Sequence, residues 1–182
     1  ITALSPEVII ADQDDIPGTG RAVEVGLAAL PDDFDGDVVV LSGDVPLLDD
    51  QTLSRLIAAH REAAEDMTLL SAIYRDPTGF GRIVRDDAGQ FASIVEHKDA
   101  TEAQREITEI NAGVYVFTAA AARSALAKIG MANAQGEKYL TDAASVIKDD
   151  GGKIAAVAVT DPWLVQGIND RAQLGATARE LN

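Results

Sequence analysis

The sequence predicts an α/β domain with a Rossmann-like mixed, mainly parallel sheet flanked by helices and a small antiparallel excursion. Three observations carry that expectation. Short β-rich runs alternate with helical patterns through the first half of the chain. The crossovers between them are long enough for parallel connections. The middle of the chain then changes to hairpin signals. With 182 residues, residues 1–182 form one domain, long enough to bury a sizeable core.

Residues 7–11, with Val8, Ile9 and Ile10, read as a first strand, and Pro17-Gly18-Thr19-Gly20 as the loop that follows. Residues 22–30 place Val23, Leu27 and Leu30 on one helical face. Residues 37–41 hold the apolar core Val38-Val39-Val40-Leu41, of the kind covered on both faces of a sheet. Asp49 or Asp50 supplies an N-cap for the next helix, whose Leu53, Leu56, Ile57 and His60 recur at helical spacing. Residues 67–74 continue as a strand. Ile83-Val84-Arg85, the turn Asp86-Asp87-Ala88-Gly89 and residues 91–95 form the hairpin. Further strands fall at 110–117 and 153–159. Helices fall at 119–128, 140–148 and 170–181.

Charge narrows the partners. Thirty acidic against fifteen basic residues give a formal net charge of −15. Such a surface repels nucleic-acid backbones and anionic membranes, so neither is expected as a partner. A phosphorylated small molecule stays compatible, because a metal ion and backbone N–H groups reverse the sign locally. No apolar run approaches the ~20 residues a spanning helix needs. The first residues lack a signal-peptide pattern. The chain has no cysteine, which excludes disulfides and thiolate-bound zinc. A cytoplasmic address is compatible with this.

The most informative stretch is Ser42-Gly43-Asp44-Val45-Pro46-Leu47. Ligands of open α/β sheets bind beyond the carboxyl ends of the strands, and Asp44 stands there. Its carboxylate suits an oxygen-seeking Mg²⁺ that shares phosphate oxygens; capping a turn is the competing reading. Gln13 with Gly18-Thr19-Gly20 leads from a strand into a helix, where free N–H groups can meet an anion or a base edge. A plain tight turn explains the same residues. Gly79-Phe80-Gly81 reads as a turn or bulge. Glu96-His97-Lys98-Asp99, Asn111-Ala112-Gly113, Tyr139-Leu140-Thr141-Asp142 and Gly167-Ile168-Asn169 each set polar side chains next to a strand or turn. His60 reads as packing or surface, Trp163 as packing, and His97 as part of a surface loop. No zinc set or Ser–His–Asp pattern stands out.

Taken in order, these phrases resemble the uridylyltransferase domain of the bacterial bifunctional enzymes that make UDP-N-acetylglucosamine. The wording Gly-Asp-Val-Pro-Leu, Ile-Val-Glu-His-Lys-Asp-Ala, Asn-Ala-Gln-Gly-Glu (Asn133 to Glu137) and Leu-Thr-Asp carries the resemblance, which runs from about Gln13 to Leu181. It implies transfer of a uridylyl group from UTP to N-acetylglucosamine-1-phosphate, for cell-wall precursor synthesis. It further implies that Gln13 and Gly18 read uracil with Thr19 beside them, and that Asp44 and Asn169 hold Mg²⁺. Gly81, Glu96 and Asn111 would hold the sugar phosphate, and Tyr139 and Thr141 would line the same pocket. Two departures stand out. Arg21 follows Gly-Thr-Gly where the family usually has histidine, a change a helix start tolerates. The family's Gly-rich phosphate loop and its lysine do not precede Gln13. The chain therefore looks like an N-terminally truncated piece of a longer protein, inactive or nearly so by itself. The family's trimer is built through a β-helix domain, so the fragment is expected as a monomer. A non-catalytic sugar-phosphate-binding core, or a related nucleotidyltransferase of other base or sugar specificity, are the alternatives.

Overall fold

Strand pairing is organised by the longest strand among the described residues, Glu109–Thr118. A computed structural model of the chain describes residues 8–168, 171 and 173–175. In order, the elements are α1 (Thr19–Ala28), β1 (Asp37–Val40), α2 (Asp50–Ala63), β2 (Met67–Ile73), β3 (Arg82–Arg85), β4 (Phe91–Val95), α3 (Glu102–Arg105), β5 (Glu109–Thr118), α4 (Ala119–Lys128), α5 (Asp142–Asp149) and β6 (Ile154–Ala158), then a 3₁₀ turn at Pro162–Val165. β5 is central: the sheet runs β4-β3-β5-β2-β6, and β1 pairs with β5 as well. Val116 pairs with Val39 on one edge and Thr68 on the other, so β1 and β2 flank β5. Both ladders are antiparallel; β2 and β6 are parallel.

The sheet is mixed, as expected, but β2 and β6 are its one parallel pair of neighbours among the described residues, and the rest of its parallel character lies in strand direction. β1, β2, β3 and β6 point one way, and β5, running against them, separates β1 from β2. A β-α-β rhythm fixes the crossover and its direction; it does not say which later strand is inserted between the two.

The alternation of β5 divides the core. Tyr115 and Phe117 face Leu27, Leu69, Leu126 and Ile147 under α1, α4 and α5. Ile110, Val114 and Val116 face Leu56, Leu70 and Val165 under α2 and the 3₁₀ turn. β1 contributes Val38 and Val40 to the first face and Val39 to the second, the two-sided cover its composition implies.

Residues 8–11 differ from expectation. They form no strand, and Ile9 and Ile10 are exposed; apolar character alone makes no strand without a sheet edge to pair with. The helix read at 22–30 begins earlier, at Thr19, which makes Gly18 its N-cap. Asp49 does cap α2, its carboxylate accepting from Thr52 N at 2.7 Å. The hairpin turn is tied by Asp86 Oδ1, which accepts from Ala88 N and Gln90 N. Of the expected closing helix, Arg171 and 173–175 are helical. Trp163, expected as packing, lies on the 3₁₀ turn about one-third exposed. Among the described residues, no helix is long and apolar enough to cross a membrane.

Candidate active site

A gap in the sheet makes the site. β1 ends opposite Tyr115 and β3 begins opposite Ile110, so 112–114 of β5 have no ladder partner on that edge. Gly113 takes φ +72° there, and a Cβ on it would lie 3.0 Å from Ser42 Oγ. A cleft of about 220 Å³ opens over this gap. Ser42, Gly113 and Tyr115 form its floor, Thr19 and Val23 of α1 one wall, and Leu140 another.

Thr19 reaches that wall because the loop before α1 is zipped to the segment before α5. Lys138 N donates to Pro17 O, Gly20 N to Lys138 O, and Leu140 N to Thr19 Oγ1. Gly18 sits at φ +114°, where an added Cβ would lie 2.4 Å from Lys138 O. Only glycine satisfies both demands. Gln13 is exposed, and its Nε2 donates to Ile16 O and Gly18 O. The amide's donor side is thus spent on its own loop, leaving Oε1 to accept.

Arg21 does more than begin a helix. It pairs with Asp14 and with Glu24 (2.6 Å), and Glu24 also receives Lys138 Nζ at 2.9 Å. This chain of ions fastens the loop and the 138 segment to α1. The sequence reading missed it, since Glu24 and Lys138 are far apart in sequence.

Below the cleft, Glu96, Gly81, Asn111 and Thr141 come together. Thr141 Oγ1 donates to Glu96 Oε1 at 2.8 Å. A Cβ on Gly81 would lie 3.4 Å from the same oxygen, and Gly81 O accepts from Asn111 N at 2.9 Å. Burial pushes the Glu96 carboxyl above its ordinary range; the Thr141 bond opposes this, and Asp142 and Asp99 add to it. Asn111 is locked: its Oδ1 accepts from Gly113 N (3.2 Å), and its Nδ2 donates to Tyr115 Oη (2.6 Å). Tyr139 is buried, its hydroxyl without a partner in bonding geometry although the Gln135 amide lies beside it. Burial raises its phenol; that amide opposes the shift, and the nearby Asp99, Glu96 and Glu137 carboxylates add to it.

Arg82 braces this corner from the opposite face of the sheet. It is fully buried, donating to Phe80 O and Arg105 O and meeting His97 Nδ1 at 3.3 Å. His97, expected in a surface loop, is therefore half-buried and engaged. Arg82 and Tyr115 were both missed. Period-two alternation from Asn111 to Tyr115 was the available signal for the second, because it sets the two on one face.

Asp44 stands apart. It is exposed at the carboxyl end of β1, and its carboxylate makes no hydrogen bond or ion pair among the described residues. Its backbone carbonyl accepts from Ile168 N at 2.9 Å, which brings the 166–168 segment to it. Asn169 lies outside the described residues. Among those described, no three His, Asp or Glu side chains could hold an ion by themselves.

Comparison with known proteins agrees with this architecture. Bifunctional protein GlmU of Clavibacter sepedonicus is 63% identical over all of this chain, and GlmU of Mycolicibacterium gilvum 56% over 98% of it. The matches cover 37% and 36% of those proteins, so the chain spans little more than a third of their length. A Bacillus anthracis protein described as a candidate glucose-1-phosphate thymidylyltransferase shares the fold, with a TM-score of 0.70 at 18% identity over 92% of this chain and 62% of its own. A model of the family described as nucleotidyl transferase matches residues 2–165. With 164 of its 182 residues under that match, the chain belongs to the nucleotidyl transferase family.

Proposed function

We propose that the chain is the nucleotide-transfer part of an N-acetylglucosamine-1-phosphate uridylyltransferase, which makes UDP-N-acetylglucosamine and pyrophosphate from UTP and N-acetylglucosamine-1-phosphate. One observation carries the reading: the preformed Glu96–Thr141 and Asn111–Tyr115 pairs, set against a glycine that leaves room above them. A carboxylate acceptor and an amide donor at fixed spacing suit a sugar bearing both hydroxyl and N-acetyl groups. The identity to GlmU proteins supports the same choice.

In the reaction, an oxygen of the sugar phosphate attacks the α-phosphorus of UTP in line, the α–β bond breaks, and pyrophosphate leaves. Such chemistry rests on positioning and charge neutralisation. Gln13 Oε1 accepts from the uracil N3–H, and Thr19 at the head of α1 borders the nucleotide. Glu96, Asn111 and Gly81 hold the sugar so that its phosphate faces the nucleotide. Asp44 and Asn169 would hold Mg²⁺, which when bound supplies Lewis-acid polarisation of the phosphate oxygens. The exposed, unengaged Asp44 carboxylate and the docking of Ile168 upon its carbonyl fit that role.

Calorimetric titration of the chain with N-acetylglucosamine-1-phosphate, glucosamine-1-phosphate and glucose-1-phosphate tests the reading. The acetylated sugar is expected to bind tightest. Equal or weaker binding than that of glucose-1-phosphate would mean a nucleotidyltransferase built for another sugar.

A further inference from the structure

The orientation of the Asn111 amide can be read without ambiguity. Gly113 N–H is a donor that cannot reverse its role, and it meets Asn111 Oδ1 at 3.2 Å. The amide nitrogen therefore faces Tyr115 Oη, 2.6 Å away, and must donate to it. Gly113 is itself held at φ +72° with Ser42 against it, so this arrangement is fixed by backbone. A phenol oxygen that accepts there has its own proton left to place. Tyr115 is 4% exposed, and no acceptor for that proton is in bonding geometry among the described residues.

Buried donors without acceptors are uncommon, because leaving one unmade is costly. Tyr115 is also a floor residue of the cleft, together with Ser42 and Gly113. Glu96 lies within electrostatic reach of it, on the side assigned above to the sugar.

We propose that Tyr115 is a substrate-contacting residue: its O–H donates to an oxygen acceptor on the bound sugar phosphate, while its oxygen holds the Asn111 amide in place. The inference rests on the sugar-phosphate reading of the site and adds a donor to it. Glu96 accepts, Asn111 has one amide proton still to give, and Tyr115 gives the second. Such a pattern selects a sugar with acceptor oxygens side by side, as an acetyl carbonyl next to a ring hydroxyl provides.

Tyr115→Phe removes one oxygen and leaves the ring, which packs 5.8 Å from that of Phe117. Calorimetry with N-acetylglucosamine-1-phosphate is the test, on wild type, Tyr115→Phe, Asn111→Ala and the double variant. Affinity is expected to fall about tenfold in Tyr115→Phe, the size of one hydrogen bond. A comparable fall should persist when Asn111 is already alanine, because the contact is direct. Wild-type affinity in Tyr115→Phe, or a loss that vanishes in the Asn111→Ala background, overturns the proposal. Absence of binding by the wild type would overturn the sugar-phosphate reading itself, and this inference with it. Should Tyr115→Phe fail to fold, ultraviolet difference spectra of chains with tyrosine only at position 115 supply the second measurement. A red shift on adding the sugar phosphate is expected of a phenol that becomes a donor, and an unchanged spectrum counts against it.

Discussion

The two halves of the cleft are built by different means. On the half that the proposed function gives to the sugar, side chains are buried or half-buried and already bonded to one another: Thr141 to Glu96, Asn111 to Tyr115, Arg82 behind them. On the nucleotide half the backbone is held in place and the side chains are exposed. Gly18, Thr19 and Gly20 are zipped to 138–140, while Gln13 spends its donors on its own loop and Asp44 engages nothing among the described residues. The sugar half resembles a finished mould. Under the proposed function, the nucleotide half is a frame that ligand phosphates and an ion would complete, as a cation with few protein ligands requires.

The largest expected effect separates the halves outright. Asp44→Asn removes the charge an ion needs, so the gain in UTP affinity on adding Mg²⁺ should shrink about a hundredfold or disappear. Affinity for N-acetylglucosamine-1-phosphate without metal should stay within about twofold, the ordinary range for a remote surface change. A parallel loss at both ligands, measured by calorimetry, would break the comparison.

Next in size is Glu96→Gln, where function and stability pull in opposite directions. Loss of a charged acceptor should cost about 1.5–3 kcal/mol in sugar-phosphate affinity. The ligand-free protein should nonetheless melt at higher temperature near neutral pH. Burial raises the Glu96 pKa above its ordinary 4.5, so the folded state holds this proton more tightly than the unfolded one. The stability contributed by this proton is fully present below the ordinary value and is lost as pH rises through the raised one. Glutamine escapes that loss, and its advantage should fade below about pH 4.5. Sugar-phosphate affinity in the wild type should also fall on acidification at a higher pH than an ordinary carboxylate would give. Comparison with Glu96→Gln isolates this from titration of the ligand phosphate, and an identical pH profile in both would refute it.

Gly18→Ala tests the frame. Backbone strain at φ +114° and the clash with Lys138 O should lower stability by about 1–3 kcal/mol, seen as a drop in Tm. UTP affinity should fall with it, and sugar-phosphate affinity of the folded fraction should hold. If alanine is neutral here, the zipped loop is not the rigid part of the nucleotide half.

Much of the local structure was legible in the sequence, and most of what was not legible has one cause. Local chemistry announced itself: Asp49 as a cap, Asp86-Asp87-Ala88-Gly89 as a turn, Asp44 after an apolar strand. Each is decided by residues within a few positions of each other. What stayed hidden depends on partners far along the chain. The pairing of β1 with β5 and the link from Glu24 to Lys138 leave no periodic trace. Tyr115 was hidden differently, because an aromatic inside an apolar strand reads as core, and it is core on one side. Only the Gly113–Asn111 geometry distinguishes a packed ring from a packed ring with a proton to give.

The smallest effect is also the most remote from either ligand. His60 is buried under α2, with Nδ1 3.0 Å from Thr68 Oγ1 and Nε2 3.7 Å from Asp37 Oδ1 without a hydrogen bond. Burial holds its pKa below 6.5; Asp37, Glu65 and Asp66 pull it back up, and Arg61 pushes it down. Unfolded chains therefore take up this proton before folded ones do. Stability should be flat above the ordinary value and decline as pH falls below it. His60→Gln keeps a hydrogen-bonding group opposite Thr68 and cannot titrate, so the Tm difference between about pH 7.5 and about pH 5.5 should narrow. Because α2 starts at the end of the loop that carries Asp44, acid should lower amide-exchange protection in α2 before it does so in β4 and α5. If protection fell evenly across all three, the nucleotide half would have no separate route to loosening, and its difference from the sugar half would be one of exposure alone.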